Sequence, residues 1–225
     1  MNKDYWLKRW EHNEIGFHQD SVNPYLLEYW KTLQLAAGSR VFVPLCGKTR
    51  DMLWLRAQGH SVLGVELSAR AVQAFFRENQ LIPNHDGTSD KRFDHYAASD
   101  IHILLGDFFD LNKQDLGNIC AIYDRASLVA LPSETRCRYA NKLCSIVPPG
   151  SKVLLVGLDY PQSEMQGPPY AVPPKEVAAL YQPSAEVRLL TQIDVLADNP
   201  RFQQRGLTRL VESVYLLTLH HAEKS

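Results

Sequence analysis

The chain has 225 residues, of which 45 % are apolar and 10 % aromatic, enough to bury a core, so disorder is not its default state. Its 24 basic and 25 acidic side chains leave a formal charge of −1 and a pI near 6.7, which argues against nucleic acid or an anionic membrane as partner. No apolar run approaches the ~18 residues that span a bilayer, and the opening MNKDYWLKRWEHNE lacks the apolar stretch of a secretory signal.

Residues 1–34 are rich in aromatics: Tyr5, Trp6, Trp10, Phe17, Tyr25, Tyr29 and Trp30. Within them, Leu26, Leu27, Tyr29, Trp30 and Leu33 space as one face of a helix over 24–35, which Gly38 ends. Short β-branched runs then alternate with helical ones. Residues 40–45 (RVFVPL) read as a strand, 49–58 as a helix stopped by Gly59, and 61–66 (SVLGVE) as a second strand. A second helix follows over 68–79, with Ser68 as its N-cap. Residues 83–100, which include NHDGTSDKR, read as a polar surface excursion. Strands are expected at 101–105, at 119–124 and, after a helix over 132–147 and the turn Pro148-Pro149-Gly150, at 152–158. This rhythm predicts an α/β fold with a parallel sheet covered on both faces. Beyond residue 160 come a proline-rich loop (GPPYAVPP) and a helix near 175–181. Two strands at 187–193 and 210–219, with no strong helical pattern between them, are more naturally antiparallel. No linker divides the chain, so one domain is expected.

In an open parallel sheet, ligands bind beyond the carboxyl ends of the strands. Those ends carry Pro44-Leu45-Cys46-Gly47-Lys48, then Glu66, then Gly106-Asp107-Phe108, then Asp124-Arg125. An acid roughly 20 residues past the first loop accepts both hydroxyls of a ribose diol, which suits Glu66. A small residue such as Gly47 lets a ligand approach the backbone. A dinucleotide site needs GxGxxG to hold a pyrophosphate, whereas PLCGKTRD has a single glycine. S-adenosyl-L-methionine makes no such demand, and Asp107 can accept its adenine amino group with Phe108 beside the ring. From the residues alone, Glu66 also reads as a solvated strand end and Arg125 as the ion-pair partner of Asp124. Trp6 and Trp10 equally read as core aromatics, and Cys46 as packing. The eight histidines are scattered without ligand spacing, so no metal site is expected. Four cysteines without a CxxC suit a reducing, cytoplasmic setting, and three of them lie in apolar segments.

The segments WLKRWEHNEIGFHQ, VFVPLCGKTRDMLWLRAQGHSVLGVELS, FFDL, IYDRASLVAL, GPPYAVP and ESVYLLT, in that order, resemble the thiopurine S-methyltransferase family over almost the whole chain. The stretch near 80–100 is the weakest. The resemblance implies a class I methyltransferase fold: a Rossmann-like three-layer α-β-α sandwich on a mostly parallel seven-stranded sheet with an antiparallel last strand. Residues 1–34 would form an aromatic helical lid on a core of 35–225. It also implies that Trp10, Leu45, Glu66 and Arg125 contact S-adenosyl-L-methionine, with Asp107 and Phe108 near its adenine. Trp6, Phe17 and Arg201 match positions near the cofactor or acceptor pocket. The chain departs from the family around Arg201, in DNPRFQQRG, and in carrying an acid at Asp107.

Methyl transfer from a sulfonium is an in-line displacement in which positioning supplies much of the rate. A thiolate acceptor needs little help from a base, so Arg125 and Arg201 are expected to favour it electrostatically. Tyr170, in the proline-rich loop, is expected to close over the acceptor. The products are a methyl sulfide and S-adenosyl-L-homocysteine. Two other functions stay open: methylation of selenium or tellurium compounds, and a non-catalytic module that binds S-adenosyl-L-methionine. Nothing resembles a coiled-coil seam, so a monomer is expected.

Overall fold

The computed structural model describes residues 3–87 and 92–220. The chain forms two compact units, residues 1–123 and 124–225. Among the described residues, no helix is long and apolar enough to cross a membrane.

The first unit opens with helix α1 (Lys3–Glu11) and helix α2 (Pro24–Tyr29). Asn23 caps α2 by accepting from the Tyr25 N–H at 3.0 Å, and Pro24 begins it, where a missing N–H costs nothing. The expected longer helix tightens into a 3-10 turn at Trp30–Leu33. Residues three apart eclipse in that geometry, so both Trp30 and Leu33 are buried. The Trp30 indole N–H donates to His60 Nε2 at 3.0 Å.

Strand β1 (Arg40–Val43), helix α3 (Asp51–Ala57), strand β2 (Ser61–Glu66) and helix α4 (Ala69–Glu78) follow as expected. Ser68 caps α4, its hydroxyl accepting from the Ala71 N–H at 3.3 Å. Ala71, Val72, Phe75 and Phe76 form the buried stripe of that helix. Burying one such phenylalanine is worth roughly 2–3 kcal/mol.

Residues 83–100 correct the sequence reading. They are not a loop excursion: strands β3 (Asn84–Gly87) and β4 (Asp94–Ala98) pair antiparallel, and β4 pairs antiparallel with β5 (Ile101–Leu105). Ser99 and Asp100, with φ of 50° and 63°, make the two-residue turn that such hairpins favour. The strands were illegible because edge strands carry polar, charged side chains and leave one face solvated. Of the expected excursion, residues 88–91 lie outside the described residues. A 3-10 turn at Phe108–Asp110, helix α5 (Lys113–Leu116) and strand β6 (Ile119–Arg125) complete this part. The strand order is β3-β4-β5-β2-β1-β6, with β5, β2, β1 and β6 parallel. From Val62 to Glu66, β2 is buried at every position, the mark of a parallel strand covered on both faces.

In the second unit, helix α6 (Ser133–Ile146), strand β7 (Lys152–Asp159), helix α7 (Pro174–Tyr181), strand β8 (Ala185–Asp194), helix α8 (Pro200–Gln203) and strand β9 (Val211–Leu219) run in order. Strand β9 lies between β7 and β8 and is antiparallel to both, as expected of the last strand. All seven expected strands are present among the described residues, and the β3–β4 hairpin adds two. Helix α8 was not foreseen; at one turn, it is too short for a 3.6-residue period to show. Of the four cysteines, only Cys46 is fully buried; Cys120 and Cys137 are exposed, so the apolar runs around them do not make them core residues.

Asp124 lies wholly buried, accepting from the Tyr139 hydroxyl at 2.6 Å and the Leu128 N–H at 3.3 Å. Burial, outweighing these donors, pushes its carboxyl up from 3.8 to about 6. A raised folded-state value means that the acid form is favoured by folding, so ionisation lowers stability as pH climbs from about 4 past 6. An asparagine in its place would keep its Oδ1 for the backbone donors of Ser127 and Leu128 and turn its N–H₂ to the Tyr139 hydroxyl, which can accept as well as donate. Asp124→Asn is therefore expected to be more stable than wild type at pH 8, by about 2–3 kcal/mol. The gain should vanish at pH 4. Urea denaturation at both values checks the sign: lower stability of the variant at pH 8 would show that the ionised carboxylate is stabilising.

Candidate active site

The carboxyl ends of β1, β2 and β5 meet in the first unit. After β1 the chain turns through Leu45, at φ 45°, and Gly47, at φ 54°. A branched side chain is costly in this left-handed region, so the strain at Leu45 marks a backbone path imposed by its surroundings. The Cys46 N–H holds that path by donating to the Val65 carbonyl at 3.0 Å. Gly47 is needed for its φ and for contact: a Cβ there would stand 3.2 Å from the Trp10 ring.

Glu66 is a buried junction, not a solvated strand end. It is 6 % exposed, and its Oε2 accepts from the Gly47 N–H and its Oε1 from the Ser68 N–H, each at 2.8 Å. Burial raises its carboxyl above the ordinary value, against the pull of these backbone donors. With Leu67 as a third backbone donor, the carboxylate still has acceptor capacity for a ligand hydroxyl. Cys46 packs its sulfur over Gly64, where a Cβ would come within 2.6 Å. Its thiol is pushed well up, first by burial and then by Glu66, which suits packing and not nucleophilic attack.

Asp107 ends β5 in an equally ordered way. Its Oδ1 accepts from the Phe109 N–H at 2.9 Å and its Oδ2 pairs with Lys3 Nζ at 2.6 Å. The hydrogen bond and charge of Asp107 raise the Lys3 ammonium's proton affinity. Helix α1 is thus held by Lys3 at Asp107 and by Trp10 at Gly47. Phe17 packs edge-on against both Trp6 and Trp10, with centroids 5.7 and 5.6 Å away. The structure therefore gathers Trp6, Trp10, Phe17, Gly47, Glu66 and Asp107 on one face. Phe108 stands apart from it, a core ring 1 % exposed and stacked on Phe42 at 6.5 Å. Sequence reasoning missed Lys3, because no local pattern announces an ion pair with a residue a hundred positions away. It also missed Lys48, which reaches from the same loop to Glu78 of α4 at 2.8 Å.

In the second unit, Asp124 does not pair with Arg125; its carboxylate is taken by Tyr139 and Leu128. Arg125 stays half-buried, and Ala126, at φ 65°, turns the chain after it. Arg201, on α8, lies over the Phe202 ring, its Cζ 4.8 Å from the centroid. Its guanidinium is held below the ordinary value by burial first, then by the charges of Arg205 and Arg125. Tyr170 donates its N–H to the Val129 carbonyl at 2.7 Å and lays its ring on Gly167, where a Cβ would stand 2.6 Å away. Among the described residues, no three His, Cys, Asp or Glu side chains gather as a metal set.

Parallel strands ending in a strained loop, a buried acid after β2 and a second acid after β5 define the fold of class I S-adenosylmethionine-dependent methyltransferases. The same fold appears in the 1,6-didemethyltoxoflavin-N1-methyltransferase of Burkholderia thailandensis, solved with S-adenosylhomocysteine, which is 14 % identical with a TM-score of 0.63 over 97 % of this chain and 87 % of that one. The model of the family described as thiopurine S-methyltransferase matches residues 1–220. A thiopurine S-methyltransferase of Nitrosospira multiformis is 58 % identical over 96 % of this chain and 98 % of its own. One from Azotobacter vinelandii is 52 % identical over 96 % and 99 %. The chain belongs to the thiopurine S-methyltransferase family. Its residues fit S-adenosylmethionine: a buried carboxylate stands where a ribose diol needs an acceptor, and no phosphate-binding glycine loop is present.

Proposed function

We propose that the protein transfers the methyl group of S-adenosylmethionine to the sulfur of aromatic and heterocyclic thiols, thiopurines among them. The observation that carries this reading is the buried Glu66 carboxylate, bonded to the Gly47 N–H of the β1 loop, in a chain matched to the family from residue 1 to 220. When bound, S-adenosylmethionine supplies an electrophilic methyl group on a sulfonium centre. Glu66 accepts the ribose hydroxyls and Asp107 the adenine amino group, while Leu45 and Gly47 present backbone to the cofactor. Trp6, Trp10 and Phe17 exclude water from it. Arg125 and Arg201 favour the anionic acceptor, and Tyr170 covers it. Residues 1–34 act as a lid, a role supported by the Lys3–Asp107 pair and by Trp10 on Gly47. The family match spans both compact units, which supports one catalytic domain over 1–225. Near-neutral charge and cysteines outside any disulfide support a cytoplasmic monomer that acts on a small molecule, away from nucleic acid and membranes.

Transfer of labelled methyl from S-adenosylmethionine to 6-mercaptopurine, with catechol and selenite alongside, tests the reading. Label on the thiopurine alone is expected. Label on selenium or oxygen but not on sulfur would overturn it. Replacing Arg125 and Arg201 together with glutamine is expected to lower kcat/KM for the thiol about 10²-fold, the scale of losing oriented charge at a reacting centre. A kcat/KM unchanged across pH would remove both arginines from the mechanism.

A further inference from the structure

The segment around α8 holds more fixed positive charge than a lone thiolate requires. Arg201 and Arg205 share one platform, with Cζ atoms 4.8 and 6.0 Å from the Phe202 ring centroid. The charge of Arg125 also reaches Arg201, and Glu212 is the acid that opposes it there. Three acids of this unit are engaged elsewhere. Glu164 accepts from the Thr208 N–H and hydroxyl at 2.8 Å each, Asp159 pairs with Arg209, and Asp194 accepts from the Leu196 N–H at 3.0 Å. Arg205 itself points Nη1 at the Met165 sulfur, 3.6 Å away. A thioether is a weak acceptor for a guanidinium.

The platform is fixed. Phe202 is 4 % exposed in a cluster with Tyr160, Ala171, Val195, Leu207 and Leu210, and Met165 packs against the same cluster. So the proline-rich loop and the α8 segment share one apolar core, and the exposed Arg201 and Arg205 side chains lie over its buried Phe202 ring. Arg201 lies close enough to Arg125 for each to feel the other's charge. Arg205 extends the positive field beyond that pair, with its fork free of any acid among the described residues. A planar guanidinium in this state matches a carboxylate, which it can grip with two parallel hydrogen bonds.

We propose that Arg205 is a specificity-determining residue that selects acceptors carrying a carboxylate besides the sulfur that is methylated. This rests on the thiol-methylating reading above. In the reaction the thiolate electron pair forms the new sulfur–carbon bond, and the electrons of the broken bond leave with the donor sulfur. The carboxylate is unchanged and serves only as the handle held by Arg205.

The test compares 4-mercaptobenzoate with thiophenol at about pH 8, in wild type, Arg205→Gln and Arg205→Lys. Wild type is expected to favour the mercaptobenzoate by about tenfold or more in kcat/KM, with the margin shrinking as salt rises. Arg205→Gln should raise the KM for mercaptobenzoate about tenfold, equal to the loss of one charge-assisted contact. Thiophenol turnover and the Kd for S-adenosylmethionine should not move, and Arg205→Lys should recover part of the preference. Equal losses on both acceptors, or no change on either, would overturn the role of Arg205. Failure of wild type to methylate thiophenol and mercaptobenzoate alike would instead overturn the thiol reading itself.

Discussion

Glu66→Gln is expected to weaken S-adenosylmethionine binding by about 10²-fold or more, and isothermal titration calorimetry reads this directly. In the folded protein the two carboxylate oxygens accept from the Gly47 and Ser68 N–H groups. An amide can satisfy only one of them, and its own N–H₂ then faces a second donor. In the proposed role of Glu66 the ribose diol would also exchange a charged acceptor for a neutral one, and hydrogen bonds to charged groups are worth about 1.5–3 kcal/mol against about 0.5–1.5 for neutral ones. Two contacts weakened by about 1–1.5 kcal/mol each amount to about 2–3 kcal/mol, the scale of the stated factor. Because burial already disfavours the Glu66 charge, losing it should cost far less in fold stability than in binding. A Kd within threefold of wild type would remove Glu66 from the cofactor site.

Asp51→Ala should produce a large loss of stability in the first unit. Asp51 is 1 % exposed; its Oδ1 accepts from the Asn23 N–H at 2.8 Å and its Oδ2 from the Tyr123 hydroxyl at 3.0 Å. It therefore ties the N-terminal segment, at the cap of α2, to a fully buried tyrosine on β6. Removing it strands two buried donors, each at about 1–3 kcal/mol, and opens a small cavity. A total of about 3–4 kcal/mol corresponds to a fall in Tm of roughly 6–15 °C for a chain of this size. Circular dichroism melts check it, and a shift under about 2 °C would mean that other groups take over both donors.

The parts of the fold that could be read were those written in local periodicity. Strands β1, β2, β5 and β7 are short β-branched runs, α4 announces itself through Ser68 and a one-sided apolar stripe, and β8 and β9 follow each other without a long helix. What escaped lay where the signal is not local. The β3–β4 hairpin is polar because it forms an edge, and α8 is one turn long. The site divides in the same way. Glu66, Gly47 and Asp107 could be picked out as candidates because ligands of parallel sheets bind beyond the strand ends. The partners of those residues were not. Sequence neighbours suggested an Asp124–Arg125 pair, but strand alternation sends adjacent side chains to opposite faces, so Asp124 turns to Tyr139 and Arg125 away from it. Phe108 was read beside an adenine from its strand-end position and from the family resemblance; in the structure it begins a 3-10 turn capped by Asp107, with its ring packed in the core.

The contact between Trp10 and Gly47 also bears on how the molecule can be watched. The sequence has four tryptophans, and they are not equivalent as chromophores. Trp10 rests on the Gly47 loop, where the cofactor is proposed to bind, so its emission would report events at that loop without any added dye. Trp30 is held at 3.0 Å to His60, away from that loop, and gives a background signal tied to the integrity of the fold. Occupancy and unfolding can thus be followed separately in a single unlabelled sample, with Trp30→Phe and Trp10→Phe proteins supplying the two reference spectra.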